Sequence, residues 1–582
     1  MKISNELKKI FSLLEKNEII SLFVVFLIYI INIFFDLVGI SMIIPIINII
    51  LGNKFVFFID IPILKSFFSN NSQTILLFYS MAFFLSFYTL KTFYTTFAIL
   101  YQKKFIFFTS KNFSKRLLEK YLNIKYLDFL SRNQSDLVRN IVFESSIFVT
   151  SILQSLIELI VELLLIIGIA SLLILYNPES SLILIIIVLV LGAIYIYIFR
   201  KRLNLLGKER QLITSRLLKV ITESFILQKE VRILQKEDFI INSFEKDANK
   251  IAKISIFEQV ISVIPKVWFE FVAVLGLTSV VFYFIYYDIK IDLLVPLLAL
   301  YAAAIFRLLP SINRVIGASN NIIHNLPAFH VISEELLNSK KIFKNPKNKN
   351  YEKFDEFILK NFDPKILSLN NITFSYGKKT NLDLLKNINL EFKQGEITGI
   401  VGKSGSGKST IANIISGLIE DYQGRIEINN NRNFNMNILR RSVGYVPQIT
   451  NLLDDSIKNN ICFGIIDQKI DENKLKKIID EVELSGLIES LDNGMETIIG
   501  DQGLTLSGGQ RQKIALARTL YLDPKIIIFD ESTNSLDKLT EKAFFNNILS
   551  LKKNKIIICI THDHILSEFF DKIYNLSDIT KN

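Results

Sequence analysis

Cysteine is almost missing from this chain, with two in 582 residues, Cys462 and Cys559. Two thiols cannot build a disulfide scaffold, and both fall in a segment that reads as cytosolic, where they serve as small buried hydrophobes. Charge is scarce too, at 21% of residues, while 50% are hydrophobic and the mean hydropathy is +0.36. That balance excludes a disordered chain, which lacks the apolar surface to drive packing. It also excludes a wholly water-soluble one, so part of the chain sits in lipid. The first apolar run follows a charged, helix-forming start (Met1–Glu18) and has no small-residue cleavage site, so it reads as a retained helix and not as a signal peptide.

What is present is apolar sequence concentrated in the first 330 residues. Runs with little or no charge lie at about 19–50, 74–100, 146–176, 180–199, 255–287 and 293–325, each long enough for the ~20 helical residues that span a hydrocarbon core. Spanning segments must satisfy their own backbone, so six transmembrane helices are expected. The connections alternate. Segment 101–139 carries nine Lys/Arg against three Asp/Glu, and 200–253 carries thirteen against seven, so the two together hold the whole excess behind the net charge of +11. Positive residues stay on the cytoplasmic side, which places both basic segments and both termini inside. The charge therefore reads as topology, and nucleic acid is not an expected partner.

Both basic segments are too long for turns. About twenty helical residues on either side of each would extend ~30 Å beyond the membrane, as levers with turns near Tyr121–Arg132 and Ile226–Lys236. A Lys/Asn-rich, apolar-poor stretch, Asn338–Lys353, reads as linker, and short β-like runs with glycine turns and helices follow it. The expected division is a membrane domain over 1–335, a linker over 336–365 and a soluble α/β domain over 366–582.

In that last domain the apolar run from Ile397 leads into Gly402-Lys-Ser404-Gly405-Ser-Gly407-Lys408-Ser409-Thr410. This is G-x-x-x-x-G-K-[ST] between a strand and a helix: glycines let backbone N–H groups wrap phosphates, Lys408 reaches their outer oxygens, and Ser409 ligates Mg2+. Downstream, the buried strand Lys525-Ile-Ile-Ile-Phe ends in Asp530-Glu531. That order puts Asp530 at the metal and Glu531 beside the attacking water as base. Between these motifs lies Leu506-Ser507-Gly508-Gly509-Gln510, opening a helical run.

The order of phosphate loop, Gln448, LSGGQ, Asp530-Glu531 and His562 resembles an ATP-binding-cassette (ABC) ATPase. The resemblance implies an α/β P-loop NTPase domain of ABC type behind an exporter-type helical domain, with ATP and Mg2+ as cofactors. It further implies that Ser507, Gly508, Gly509 and Gln510 complete a second copy's phosphate site, that Tyr376 stacks on adenine, that Gln448 links metal and water to the levers, and that His562 bonds the γ-phosphate. Ser535-Leu536-Asp537 would communicate across the dimer, and Thr497–Gly503 resembles a cross-interacting stretch of exporters. One helical and one ATPase domain make half of two composite sites, so a homodimer is expected. Intact Glu531 and His562 point to hydrolysis.

Charges inside the apolar spans are costly and mark function by default: Asp36, Lys91, Glu158, Glu162, Lys266, Glu270, Arg307 and Arg314. Arg307 and Arg314 share a helix face, with a local break expected at Pro310. With Lys91 and Lys266 they could wall a cavity for a phosphate or pyrophosphate head group. Internal pairing, such as Lys266 with Glu270, explains them equally well.

Several stretches resemble the lipid-linked oligosaccharide flippase of bacterial protein N-glycosylation: Phe35–Pro45, Tyr121–Tyr126, Arg132–Ser135 and Phe306–Arg314. In that family cavity cations hold the pyrophosphate, and a short external helix, here Phe57–Phe68, meets the lipid tail. Lys91, Lys266, Arg307 and Arg314 take the matching places, the first two as Lys where Arg is usual. The resemblance implies an inner-membrane homodimer that moves an anionic lipid-linked substrate. Export of a peptide such as a bacteriocin, a drug or a lipid remains open, although no N-terminal protease-like domain or upstream Cys/His pair precedes the first span. A non-pumping channel or regulator is the reading from another class, and intact Glu531 argues against it.

Overall fold

The computed structural model describes residues 2–50, 72–176, 178–286, 291–338, 362–376, 384–432, 434–500, 506–532, 548–549, 551–562 and 568–576. It divides into two compact units, Met1–Ile124 with Arg132–Lys344, and Lys125–Ser131 with Asn345–Asn582.

The first unit is helical. Glu15 and Glu18 form a reciprocal capping box that starts the helix Lys16–Ser41. Four longer helices follow: Gln73–Asn123, Pro178–Ile226, Glu237–Tyr286 and Ile291–Asn338, of 51, 49, 50 and 48 residues. At ~1.5 Å per residue each runs about 70–75 Å, more than twice a hydrocarbon core. The helix Gln154–Tyr176 follows two π-helical turns, Asn140–Glu144 and Phe148–Leu153. Among the described residues three stretches, Lys16–Ile47, Gln73–Asn123 and Gln134–Leu175, are long and apolar enough to cross a membrane. The other three expected crossings fall in the helices Pro178–Ile226, Glu237–Tyr286 and Ile291–Asn338, where side chains 181–196 and 283–300 lie outside the description, as does the whole stretch 57–68. On Gln73–Asn123, Phe78, Phe83, Phe93 and Leu100 are each more than 60% exposed, an apolar face that lipid would cover.

The expected break at Pro310 does not occur, because the helix Ile291–Asn338 continues through it. A proline removes one helical hydrogen bond, and packing within a bundle sustains the rest. Glycine matters at one crossing: a Cβ on Gly207 would lie 1.8 Å from the carbonyl oxygen of His324, so the helices Pro178–Ile226 and Ile291–Asn338 touch backbone to side-chain-free backbone there.

The second unit is α/β. Strands β1 (Ile366–Phe374), β2 (Leu385–Lys393) and β4 (Gln423–Ile428) form an antiparallel sheet in the order β2-β1-β4. Strands β3 (Ile397–Val401), β5 (Val443–Val446), β6 (Ile526–Asp530), β7 (Ile556–Thr561) and β8 (Lys572–Asn575) form a parallel sheet in the order β5-β6-β7-β3-β8. The isoleucine-rich runs of β3, β6 and β7 are buried along their whole length, as expected of central parallel strands covered on both faces. One apolar cluster on the sheet includes Leu475, Ile514 and Phe529, and another includes Leu369, Ile411 and Ile558. Cys462 and Cys559 are buried free thiols. The short helix Tyr126–Leu130 belongs to this unit, with Leu127 against the second cluster and Lys125 Nζ 2.8 Å from Asp421.

Candidate nucleotide site

Parallel strands end on one edge, and there the motifs meet. β3 runs into the loop 402–407, whose last glycine, Gly407, caps the helix Lys408–Ile415 with φ +92°, while Gly405 has φ +79°. Gly407 is doubly constrained, because a Cβ would also sit 2.6 Å from Leu385 Cδ2. The result is a loop of amides closing on a helix N-terminus, a ready anion cradle. Lys408 is buried at 5% exposure, and its Nζ donates to the carbonyls of Gly402 at 2.8 Å and Lys403 at 3.1 Å. Ser404 and Ser409 are exposed on this loop and helix start.

Glu531, just past β6, is the centre of the charged group. Lys408 Nζ lies 3.8 Å from its Oε1, His562 Nδ1 lies 3.7 Å from the same oxygen, and Gln448 Nε2 donates to Oε2 at 2.7 Å. These three partners come from the phosphate-loop helix, the end of β7 and the loop after β5. Glu531 adopts φ +46°, a left-handed conformation uncommon for glutamate, and its N–H donates to Ile560 O at 2.9 Å. Such strain is held by surrounding structure and concentrates at functional positions.

Asp530 is buried beside it. The Tyr445 hydroxyl donates to Asp530 Oδ2 at 2.7 Å, and Ser409 bonds the same carboxyl. Burial pushes the Asp530 carboxyl above its ordinary range; the Tyr445 bond works against this, the Glu531 charge adds to it, and Ser409 and Lys408 oppose it. Burial, together with the Asp530 bond and charge, keeps the Tyr445 hydroxyl protonated far above neutral pH. Tyr445 carries no motif signal. It meets Asp530 because β5 pairs in parallel with β6, placing Tyr445 opposite Ile528, a long-range pairing that local spacing does not reveal.

Other motif residues stand apart from this group. Tyr376 is half exposed, with its hydroxyl 3.1 Å from Thr410 Oγ1 and its ring edge-on to Phe374. Ser507 caps the helix Gly508–Tyr521: its Oγ accepts from Gln510 N–H at 3.2 Å, and its own N–H donates to Gln510 Oε1 at 2.8 Å. That start, Gly508-Gly509, is a second helix N-terminus with its capping serine engaged within its own turn. Residues 501–503 and 535–537 lie outside the described residues.

The donors suit Mg2+. A hydroxyl on Ser409, a carboxylate on Asp530 and the side-chain oxygen of Gln448 are hard oxygen ligands, and Mg2+ at phosphates uses one or two such groups with water. No cluster of three or more His, Cys, Asp or Glu able to hold a metal occurs among the described residues.

In the helical unit the four candidate cations do not form one group: two share a carboxylate and two stand apart from it. Lys91 Nζ lies 2.7 Å from Asp36 Oδ1, and Arg307 pairs with Oδ2 of the same carboxylate. Arg314 pairs with Glu162. Lys266 is exposed, and the expected pairing with Glu270 is not among the ion pairs of the described residues. Asp36, which joins three helices, is buried to 3%. One carboxylate thus serves two cations, and Arg307 Nε is buried with no hydrogen-bond partner.

The ABC transporter family model matches residues 385–534. Among curated proteins, the chain is 38% identical over 226 residues to the mitochondrial iron-sulfur clusters transporter ATM1 of Kluyveromyces lactis, covering 38% of this chain and 31% of that one. It is 27% identical over 467 residues to the ATP-dependent lipid A-core flippase of Photorhabdus laumondii, covering 80% and 78%. The chain spans about a third of the length of the first curated relatives it matches, 36% in one from Rickettsia typhi. Among solved structures, that of a bacterial Atm1-family ABC exporter with ATP bound superposes with a TM-score of 0.76 over 96% of this chain and 93% of that one at 17% identity, a likeness of fold.

Proposed function

We propose that this chain is an ABC exporter with its helical and ATPase domains fused, an ATP-driven, homodimeric inner-membrane transporter that flips a lipid-linked oligosaccharide or similar polyprenyl-pyrophosphate glycan. The observation that carries the ATPase reading is Glu531, whose carboxylate is met by Gln448 at 2.7 Å, by Lys408 and by His562. A base held this way orients and deprotonates a water for attack on the terminal phosphorus. Lys408, the 402–407 amides and Thr410 bind the phosphates, Tyr376 faces the base of the nucleotide, and Ser507 to Gln510 close the site of the second copy. Ser409, Asp530 and Gln448 would hold Mg2+, which neutralises developing phosphate charge when bound. ATP binds the closed pair of ATPase domains more tightly than the open pair, and that difference drives the helices between two states.

The cargo reading is supported by the charge count at Asp36. Two cations on one carboxylate leave a net positive site, and the buried Arg307 Nε is a donor awaiting an acceptor. An anionic phosphate head group supplies both needs. The test is the purified homodimer in proteoliposomes with a polyprenyl-pyrophosphate oligosaccharide, compared with a phosphorylated glycolipid lacking the polyprenyl chain and with a neutral lipid. Stimulated ATP hydrolysis with movement of the polyprenyl substrate supports the proposal. Response to the second lipid alone moves the cargo to lipid export, the line on which the lipid A-core flippase relative is named. ATP hydrolysis without movement of any of them favours a peptide or drug. Gating without turnover favours a channel.

A further inference from the structure

The two acids that end β6 are held from one short stretch of chain. Tyr445 lies on β5 and donates its hydroxyl to Asp530 Oδ2 at 2.7 Å; three residues later, Gln448 donates to Glu531 Oε2 at 2.7 Å. Gln448 belongs to a motif, whereas Tyr445 does not. Along β5 the side chains alternate, with Gly444 and Val446 fully buried and Tyr445 only half so. The ring of Tyr445 packs against the cluster that includes Ile526 and Ile528, which leaves its hydroxyl as the one polar atom aimed at the metal ligand. Gly444 has no room for any side chain, since a Cβ would meet Thr519 at 2.4 Å and Pro524 at 2.6 Å. The strand therefore cannot shift toward that side, and the position of Tyr445 is fixed by packing.

We propose that Tyr445 is a positioning residue for the divalent metal of the ATPase site. Its hydroxyl fixes the orientation of the Asp530 carboxylate, while Ser409 bonds the same group from the phosphate-loop helix. A carboxylate oxygen held by a short hydrogen bond has restricted rotation about its last bond, and a ligand held so presents its lone pairs to the ion with less reordering. Because the same stretch also holds Glu531, a displacement of β5 and its loop moves metal ligand and base together. The inference rests on the ATPase reading of the site.

Tyr445→Phe removes one oxygen and keeps the ring, so packing is retained. In the full-length protein in detergent, the affinity for a fluorescent ATP analogue is measured with Mg2+ and with EDTA, alongside the Mg2+ concentration giving half-maximal hydrolysis and the melting temperature. The expected result is unchanged affinity in EDTA, a loss of about tenfold in the Mg2+-dependent gain in affinity, and a similar rise in the half-maximal Mg2+ concentration, the measure of one charge-assisted hydrogen bond. A Mg2+ gain equal to that of the unaltered protein overturns the proposal. Equal weakening with and without Mg2+, or a lowered melting temperature with the Mg2+ ratio preserved, also overturns it, because a structural role would act that way. Failure of the unaltered protein to bind the analogue would sink the ATPase reading and this inference with it, whereas normal binding with an indifferent Tyr445→Phe sinks only the inference.

Discussion

Gln448 Nε2 donates to Glu531 Oε2 across 2.7 Å, joining the loop after β5 to the residue just past β6. The amide that would face metal and water is thus tied to the proposed base by its nitrogen, and its oxygen is left to turn the other way. A change in the β5 loop is felt at the base through a single bond.

Glu531→Gln keeps the shape of this contact and removes the base. ATP binding is expected to persist while hydrolysis falls by about 10²–10⁴, the range of general-base catalysis. Phosphate release per minute alongside nucleotide affinity measures both, and normal hydrolysis in this variant would refute the assignment.

Gly407→Ala puts a side chain at φ +92° and pushes against Leu385. We expect a cost of about 1–3 kcal/mol and weaker ATP binding, because the loop must open to make room. Gly405→Ala has φ +79° but meets open space, so it should cost less. Melting temperatures of the two variants, compared side by side, check the order.

Asp36→Asn leaves Lys91 and Arg307 facing one another without a shared counter-charge. Breaking a buried pair by removing one partner costs roughly 3–5 kcal/mol, and the variant should melt well below the unaltered protein. Adding Lys91→Met removes one of the two cations and should recover part of the loss. No recovery in the double variant would mean that the two cations are not coupled through Asp36.

Asp571 ties the start of β8 to β3: its Oδ2 accepts from the Ile397 N–H at 2.8 Å, and Lys552 Nζ lies 2.9 Å from Oδ1. Burial works to raise its pKa, but the Ile397 bond and Lys552 outweigh that and hold it below the ordinary carboxylate value. A lowered value in the folded state means that stability is gained above the unfolded value, near pH 4, and lost as pH falls through the folded one. Asp571→Asn should therefore cost about 1 kcal/mol at pH 7, at the low end because the group is partly exposed. The gap to the unaltered protein should close as the pH drops below 4, as chemical unfolding at several pH values would measure.

Much of the second unit was legible because its signals are local. The strand, loop and helix around Gly402–Thr410 and the strand ending in Asp530 each lie within a few residues and are present in the structure, whereas the Ser507 cap, which starts its helix three residues before the expected run at Arg511, was not read from the sequence. The long helices were legible because apolar runs long enough to cross a membrane continue into basic segments that keep a helical pattern. Contacts made by topology were not legible. Tyr445 reaches Asp530 across 85 residues and Arg307 reaches Asp36 across 271, and neither spacing has a pattern. The i,i+4 pair Lys266–Glu270 looked natural by spacing, yet both residues are exposed and the ion pairs formed elsewhere. The left-handed backbone at Glu531 was invisible because glutamate does not advertise it as glycine does at Gly405 and Gly407.

Where Gly207 meets His324, nothing but hydrogen separates two of the longest helices. At that point residue 207 has no side chain whose rotamer could absorb a push, and the His324 carbonyl is the atom it meets. Any larger residue at 207 would collide with that carbonyl and push the two helices apart, so the spacing of the pair depends on this one position having no side chain.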